Sequence, residues 1–152
     1  MSGYRTVVVG TDGSESSLRA VGRAGALAGA CDATLVVACA YLPTEADDRE
    51  VARAGDVLRD EAYQVMGSHP AEELVRTAAD QARKAGATKV RTLAVVGSPV
   101  ETLLEVVRRE DADLLVVGNR GLNSIRGRLL GSVPADATRR SEVDVLVVHT
   151  TG

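Results

Sequence analysis

Two hydrophobic rhythms alternate along the chain. Short runs rich in β-branched residues are separated by longer segments whose apolar positions recur every three or four residues. That is the pattern of parallel strands buried on both faces and joined by amphipathic helices. The runs predict strands over residues 5–10, 34–40, 90–96, 113–117 and 144–149. Between the first two, residues 14–30 predict a helix with Leu18, Val21 and Leu27 inward; its many Ala and Gly residues suit close packing on a sheet, and Asp12-Gly13-Ser14 marks its start. Another helix opens at Ser98-Pro99-Val100-Glu101, where Ser98 as N-cap, Pro99 in the first turn and Glu101 three residues on predict a capping box. Val100, Leu103, Leu104 and Val107 then face the core. The connection from 41 to 90 holds two more helical patterns, near 46–66 and 70–85, split by Gly67-Ser68-His69-Pro70. The first carries Val51, Ala54, Leu58, Ala62 and Val65 on one face, and the acidic stretch Pro43-Thr44-Glu45-Ala46-Asp47-Asp48 before it is either a lid over a ligand or a solvated loop.

The fold expected is therefore α/β: an open five-stranded parallel sheet, strand order 3-2-1-4-5, with helices on both faces. Its 152 residues, 45% hydrophobic, are enough for one domain spanning 1–152 with a substantial core, and neither an internal repeat nor a linker divides it. With no Trp or Phe and three Tyr, that core must be aliphatic and Ala-packed. The same scarcity argues against stacking of nucleic-acid bases on aromatic side chains. Charge points the same way, because the basic residues, sixteen of eighteen of them Arg, are scattered among 21 acids for a net charge of -3. No nucleic-acid partner is expected. No apolar run approaches the ~20 residues of a membrane span, and the chain reaches Thr6-Val7-Val8-Val9 without a charged-then-apolar leader, so no membrane and a cytoplasmic location are expected. Cys31 and Cys39 form neither a CxxC pair nor a His/Cys cluster; they read as reduced, buried thiols, with no metal site.

The candidate chemistry lies after the first and fourth strands. Gly118-Asn119-Arg120-Gly121, nine residues, then Gly131-Ser132 follow the apolar run Leu114-Leu115-Val116-Val117 and lead into a helix. Glycines let the backbone turn sharply and approach a ligand, and a helix start offers unpaired N–H groups and the positive end of its dipole to an anion. In an open sheet of this order the ligand crevice lies outside the carboxyl ends of strands one and four. Gly10-Thr11-Asp12-Gly13 and the glycine loop should therefore line one crevice. Asp12 is the carboxylate expected there, and it suits ribose hydroxyls or a metal-bound water; the alternative is a turn residue bonding its own backbone. Arg126 and Arg128 are either phosphate ligands or solvated side chains. Ser132 is an N-cap with or without an anion beside it, and Pro134 shortens the run of donors by one.

These residues resemble the universal stress proteins, in the branch that binds ATP, which is marked after the fourth strand by Gly, two residues, Gly, nine residues, Gly and Ser or Thr. Gly118, Gly121, Gly131 and Ser132 satisfy that spacing. The resemblance extends over essentially the whole chain through Val7-Val8-Val9-Gly10-Thr11-Asp12-Gly13-Ser14, Val96-Gly97-Ser98-Pro99 and Ala112-Asp113-Leu114-Leu115-Val116-Val117-Gly118. Ala40-Tyr41-Leu42-Pro43, Gly118-Asn119, Gly127-Arg128-Leu129-Leu130-Gly131-Ser132-Val133-Pro134-Ala135 and the ending from Val143 to Thr150 are similar to an actinobacterial subgroup associated with cyclic AMP binding, and the Arg-rich, Lys-poor composition agrees with that source. The resemblance implies an adenine nucleotide alpha hydrolase-like sandwich. It also implies that Gly10, Thr11, Asp12 and Ala40 border adenine and ribose, Asp12 meeting the ribose, while Gly118, Asn119, Arg120, Gly121, Arg128, Gly131, Ser132 and Val133 surround phosphate. ATP, with Mg²⁺ accompanying it, or cyclic AMP is the ligand so implied. Many members carry Ser or Thr where this chain has Asn119, whose longer side chain narrows the phosphate cradle.

Three classes of function fit such a chain. The leading one is a nucleotide-binding regulatory or buffering protein without catalytic residues; a slow ATPase or nucleotidyl transferase is the alternative. Against the enzyme stand the lack of a Gly-Lys-Ser/Thr signature and the positions of His69, in a linker, and His149, at the end of the last strand. A phospho-receiver would want acids and a lysine where the strand ends offer Asp12, Gly97 and Thr150, and a flavin module would want aromatics. The final strand, with Val143, Val145, Leu146, Val147 and Val148, makes an apolar edge that pairing across a two-fold axis would cover; the resemblance implies the same homodimer through 143–149.

Overall fold

A computed structural model describes residues 3–42, 68–120 and 132–150. Strands β1 (Thr6–Gly10), β2 (Thr34–Tyr41), β3 (Lys89–Val96), β4 (Leu114–Gly118) and β5 (Asp144–Val148) form one sheet in the order β3-β2-β1-β4-β5. Every pairing is parallel. The helices among the described residues are α1 (Glu15–Cys31), α2 (Ser68–Ala85), α3 (Pro99–Glu110) and α4 (Ser132–Arg140). Class, strand order and helix placement are those expected from the hydrophobic pattern, with strand ends moved by one residue. The helical pattern near 46–66 lies outside the described residues.

Helices cover both faces of the sheet, which is why its strands are runs of Val and Leu rather than alternating apolar and polar residues. Val7, Val9, Leu35, Val37, Leu114 and Val116 join α1 and α2 in one core. Val8, Val36, Ala38, Leu115 and Val117 join α3 and α4 in the other. Aromatic bulk is missing, so the first core is filled by bringing backbones together. A Cβ placed on Gly25 of α1 would stand 2.5 Å from the Ala82 carbonyl oxygen of α2. Ala20, Ala24, Gly25 and Ala28 form the buried face of α1, with Val21 among them, whereas Leu18 and Leu27, expected inward, sit half-buried beside it. Small residues took the central positions because α2 lies against them.

Helix ends follow their local chemistry with two differences from expectation. Ser14 caps α1, its hydroxyl accepting from Ser17 N at 3.1 Å, and α1 and α3 both end on a left-handed aspartate, Asp32 and Asp111. Asp tolerates that conformation better than most side chains. At α3, Ser98 has the N-cap backbone but its side chain makes no cap bond, and the capping box does not close. Glu101 reaches Arg140 of α4 at 2.8 Å instead, so a tertiary ion pair displaced the local one. His69, expected in a linker, belongs to the first turn of α2, where Pro70 is tolerated because no N–H is needed from it.

Candidate functional site

The pairing of β1 with β4, Val9 opposite Val116, sets the ends of these strands side by side at the carboxyl edge of the sheet. The first turn beyond β1 is built by its own hydroxyls. Thr11 is 1% exposed; its N–H donates to the Ala38 carbonyl and its hydroxyl is 2.8 Å from Ser17 Oγ while accepting from Gly13 N. Ser17 Oγ also receives Asp12 N and donates to the Ser14 carbonyl. Gly13 occupies φ +84°, a left-handed backbone that suits glycine, and Leu74 of α2 packs close over it. The turn thus pins Asp12, half-buried, at the start of α1.

Asp12 Oδ1 accepts from Ser14 N at 3.0 Å. The turn-residue role anticipated for it is therefore real, and it engages one oxygen, leaving Oδ2 as the acceptor a ligand would meet. Cys39, 4% exposed near the end of β2, lies close enough to feel that carboxylate. Burial first, and the charge of Asp12 second, push its thiol up to about 11, so it stays protonated at neutral pH. Ala40, next along β2, is half-buried and its carbonyl accepts the Cys39 thiol at 3.6 Å.

The end of β4 is tied to β5. Gly118 is buried, and a Cβ there would stand 3.3 Å from Thr150 Cγ2, so a larger residue would press on Thr150. Asn119 N donates to the Val148 carbonyl at 2.9 Å, and Asn119 Oδ1 accepts from both Thr150 N and Thr150 Oγ1. Thr150, 4% exposed, also lies in a short contact with Ser16 Oγ and has its carbonyl bonded by Arg19 Nη1 at 2.7 Å. Arg120 is exposed beyond Asn119. Gly10 is buried at the end of β1, and Val133, on α4, is packed into the second core, so only its backbone is left to face a ligand.

The structure therefore brings Gly10, Thr11, Asp12, Ala40, Gly118, Asn119 and Arg120 to one edge of the sheet. Gly121, Arg126, Arg128 and Gly131 lie outside the described residues, and Ser132, expected as an N-cap, is instead the first residue of α4. Sequence reasoning gave no site role to Thr150, Ser16, Ser17 or Arg19. Ser16 and Ser17 carried one signal: polar residues adjoining a buried helix face. Thr150 was named only as the residue at the end of the last strand, with nothing to point from it to Asn119. Among the described residues no group of three or more His, Cys, Asp or Glu is placed to hold a metal. No described helix is long and apolar enough to cross a membrane. A groove of about 220 Å³ lined by Leu104, Val107, Ala112 and Val143, with Arg108 and Arg140 among its polar residues, lies at the opposite, amino edge, away from these groups.

The all-parallel order β3-β2-β1-β4-β5 with helices on both faces is a doubly wound α/β sandwich, sharing the adenine nucleotide alpha hydrolase-like fold. The chain belongs to the universal stress protein family, whose model matches residues 3–149. It is 56% identical over 151 residues to universal stress protein Rv1636 of Mycobacterium tuberculosis, covering 99% of this chain and 100% of that protein. A crystal structure of a universal stress protein in complex with cAMP is 49% identical, covers 99% of this chain and 100% of its own, and superposes with a TM-score of 0.75. The universal stress protein UspA from Lactobacillus plantarum, 21% identical, shares the fold at a TM-score of 0.71 over 97% of this chain and 99% of its own.

Proposed function

We propose that this protein binds an adenine nucleotide, cyclic AMP or ATP, in the crevice between the ends of β1 and β4, and that it acts as a regulatory or nucleotide-buffering protein in a stress response. The observation that carries the reading is the convergence of Asp12 and Gly118-Asn119 at that one edge, two segments far apart in sequence whose strands are register-paired. Its support is the 49% identical universal stress protein crystallised with cAMP. In this reading Asp12 Oδ2 accepts from ribose, and backbone at Gly10, Thr11 and Ala40 borders the adenine. Phosphate is taken by Asn119, Arg120 and the backbone of Gly118, Gly121, Gly131 and Val133, with Arg128 and Ser132 beside it. Mg²⁺ would accompany ATP.

Binding without turnover fits the chemistry of the rim. The hydroxyls of Thr11 and Ser17 are spent on each other and on backbone groups, so they shape the turn rather than wait as nucleophiles. The protein works in the cytoplasm as a homodimer. Pairing through β5 covers an edge on which Val147 is 39% exposed.

Calorimetric titration with cyclic AMP and with ATP, each with and without Mg²⁺, tests the reading. Saturable binding of at least one, weakened by Asp12→Ala, is expected; absence of both would end it. Sustained phosphate release from ATP that disappears in Asp12→Ala would move the assignment to an enzyme.

A further inference from the structure

The hydrogen bonds around Thr150 fix which end of the Asn119 amide faces a ligand. Thr150 N lies 2.8 Å from Asn119 Oδ1, and a backbone N–H can only donate. The atom facing it must therefore be the amide oxygen, which removes the usual ambiguity between the two ends of an asparagine. Thr150 Oγ1 donates to the same oxygen at 2.9 Å, and Ser16 Oγ, within reach of Thr150 Oγ1, supplies the next proton in the chain. Arg19 holds the Thr150 carbonyl, and Gly118 admits the Thr150 methyl alongside β4. Asn119 has meanwhile given its own N–H to Val148. Its acceptor and its backbone donor are both engaged with the end of β5, and what the side chain has left to offer is the pair of Nδ2 hydrogens.

We infer that Thr150 is a positioning residue that locks Asn119 as a donor, and that this donor, beside Arg120, serves the ligand's phosphate oxygens. The inference rests on the nucleotide-site reading above and deepens it. Arg120, also donor-only, stands next in the chain. Together they give the end of β4 a preference for an oxyanion that Asp12, on the other side of the crevice, does not share.

The test is calorimetric titration with cyclic AMP and with adenosine, which lacks phosphate, on four proteins, with thermal midpoints recorded without ligand. Asn119→Asp accepts both Thr150 bonds as Asn does but replaces the donor with a negative charge. Its preference for cyclic AMP over adenosine should fall about tenfold or more, the scale of a lost hydrogen bond to a charged group. Thr150→Val removes the hydroxyl at nearly constant shape and should lower the same preference about threefold, as one neutral hydrogen bond would. Thr150→Ser, which keeps the hydroxyl, should restore it. An unchanged preference in Asn119→Asp or in a stably folded Thr150→Val overturns the inference, as does a Thr150→Val protein that loses stability and weakens both ligands in equal proportion. If Thr150→Val does not fold, Thr150→Ala, which also lacks the hydroxyl, is read in its place. A wild-type protein that binds neither ligand overturns the nucleotide site itself, and this inference with it.

Discussion

At the residue scale, Asp12 is the proposed ribose contact, and the turn engages only one of its two oxygens. Oδ1 shapes the turn through Ser14 N. Asp12→Asn keeps that acceptor and loses the charge, so nucleotide affinity should drop on the order of tenfold with little change in thermal midpoint. Asp12→Ala should lower both; equal binding by wild type and Asp12→Asn would remove the ribose contact. At the far edge, Asp113 accepts from Arg5 N and Thr6 N at the start of β1. Burial works against its ionised form, but the N–H groups of Thr6 and Arg5, its own N–H and the Arg5 charge outweigh that and hold the carboxyl below its ordinary value. A depressed folded pKa stabilises the fold above the unfolded value of about 3.9 and is lost as pH falls through the folded one. Asp113→Asn should therefore be less stable than wild type at pH 7, and the gap in urea midpoints should close as pH drops from about 5 to 2. A gap independent of pH would assign Asp113 a role in shape alone. Asp12 and Gly118 were legible in the sequence because each interrupts an apolar run with a residue type that needs a reason. Thr150 was not, since its partners come from α1 and the end of β4, distances that no local spacing encodes.

At the scale of elements, burial on two faces makes these strands readable: a run such as Leu114-Leu115-Val116-Val117 has no solvated side to blur it. Helix faces were readable only in part. Leu18 and Leu27 looked like the anchors of α1, but the contact with α2 selects small residues, and Gly25 meets the Ala82 carbonyl. Gly25→Ala gains about 1 kcal/mol of helix propensity. The overpacking it causes costs up to about 3 kcal/mol, for a net loss of about 2 kcal/mol, or roughly 6 °C in thermal midpoint for a chain of this size. A midpoint equal to or above wild type would mean that α1 and α2 separate freely. The capping box at Ser98 failed for a related reason, because Glu101 found Arg140 across the α3–α4 contact. Local motifs foresee local partners and miss competitors brought by the fold.

At the scale of the molecule, the strand that leads to Thr150 is an edge of the sheet, so the proposed binding site and the outer surface meet at β5. Light scattering at micromolar concentration should give twice the 15.8 kDa chain mass, and Val147→Lys, placed on the exposed face of that edge, should give the monomer; a monomeric wild type would exclude the homodimer. Site and edge both belong to a member of the universal stress protein family proposed to hold an adenine nucleotide between β1 and β4. The most direct measurement is calorimetric titration of the purified protein with cyclic AMP beside Asp12→Ala. Saturable binding at one site per chain, weakened by Asp12→Ala, is expected; a flat titration with cyclic AMP, repeated with ATP and Mg²⁺, would exclude the nucleotide site.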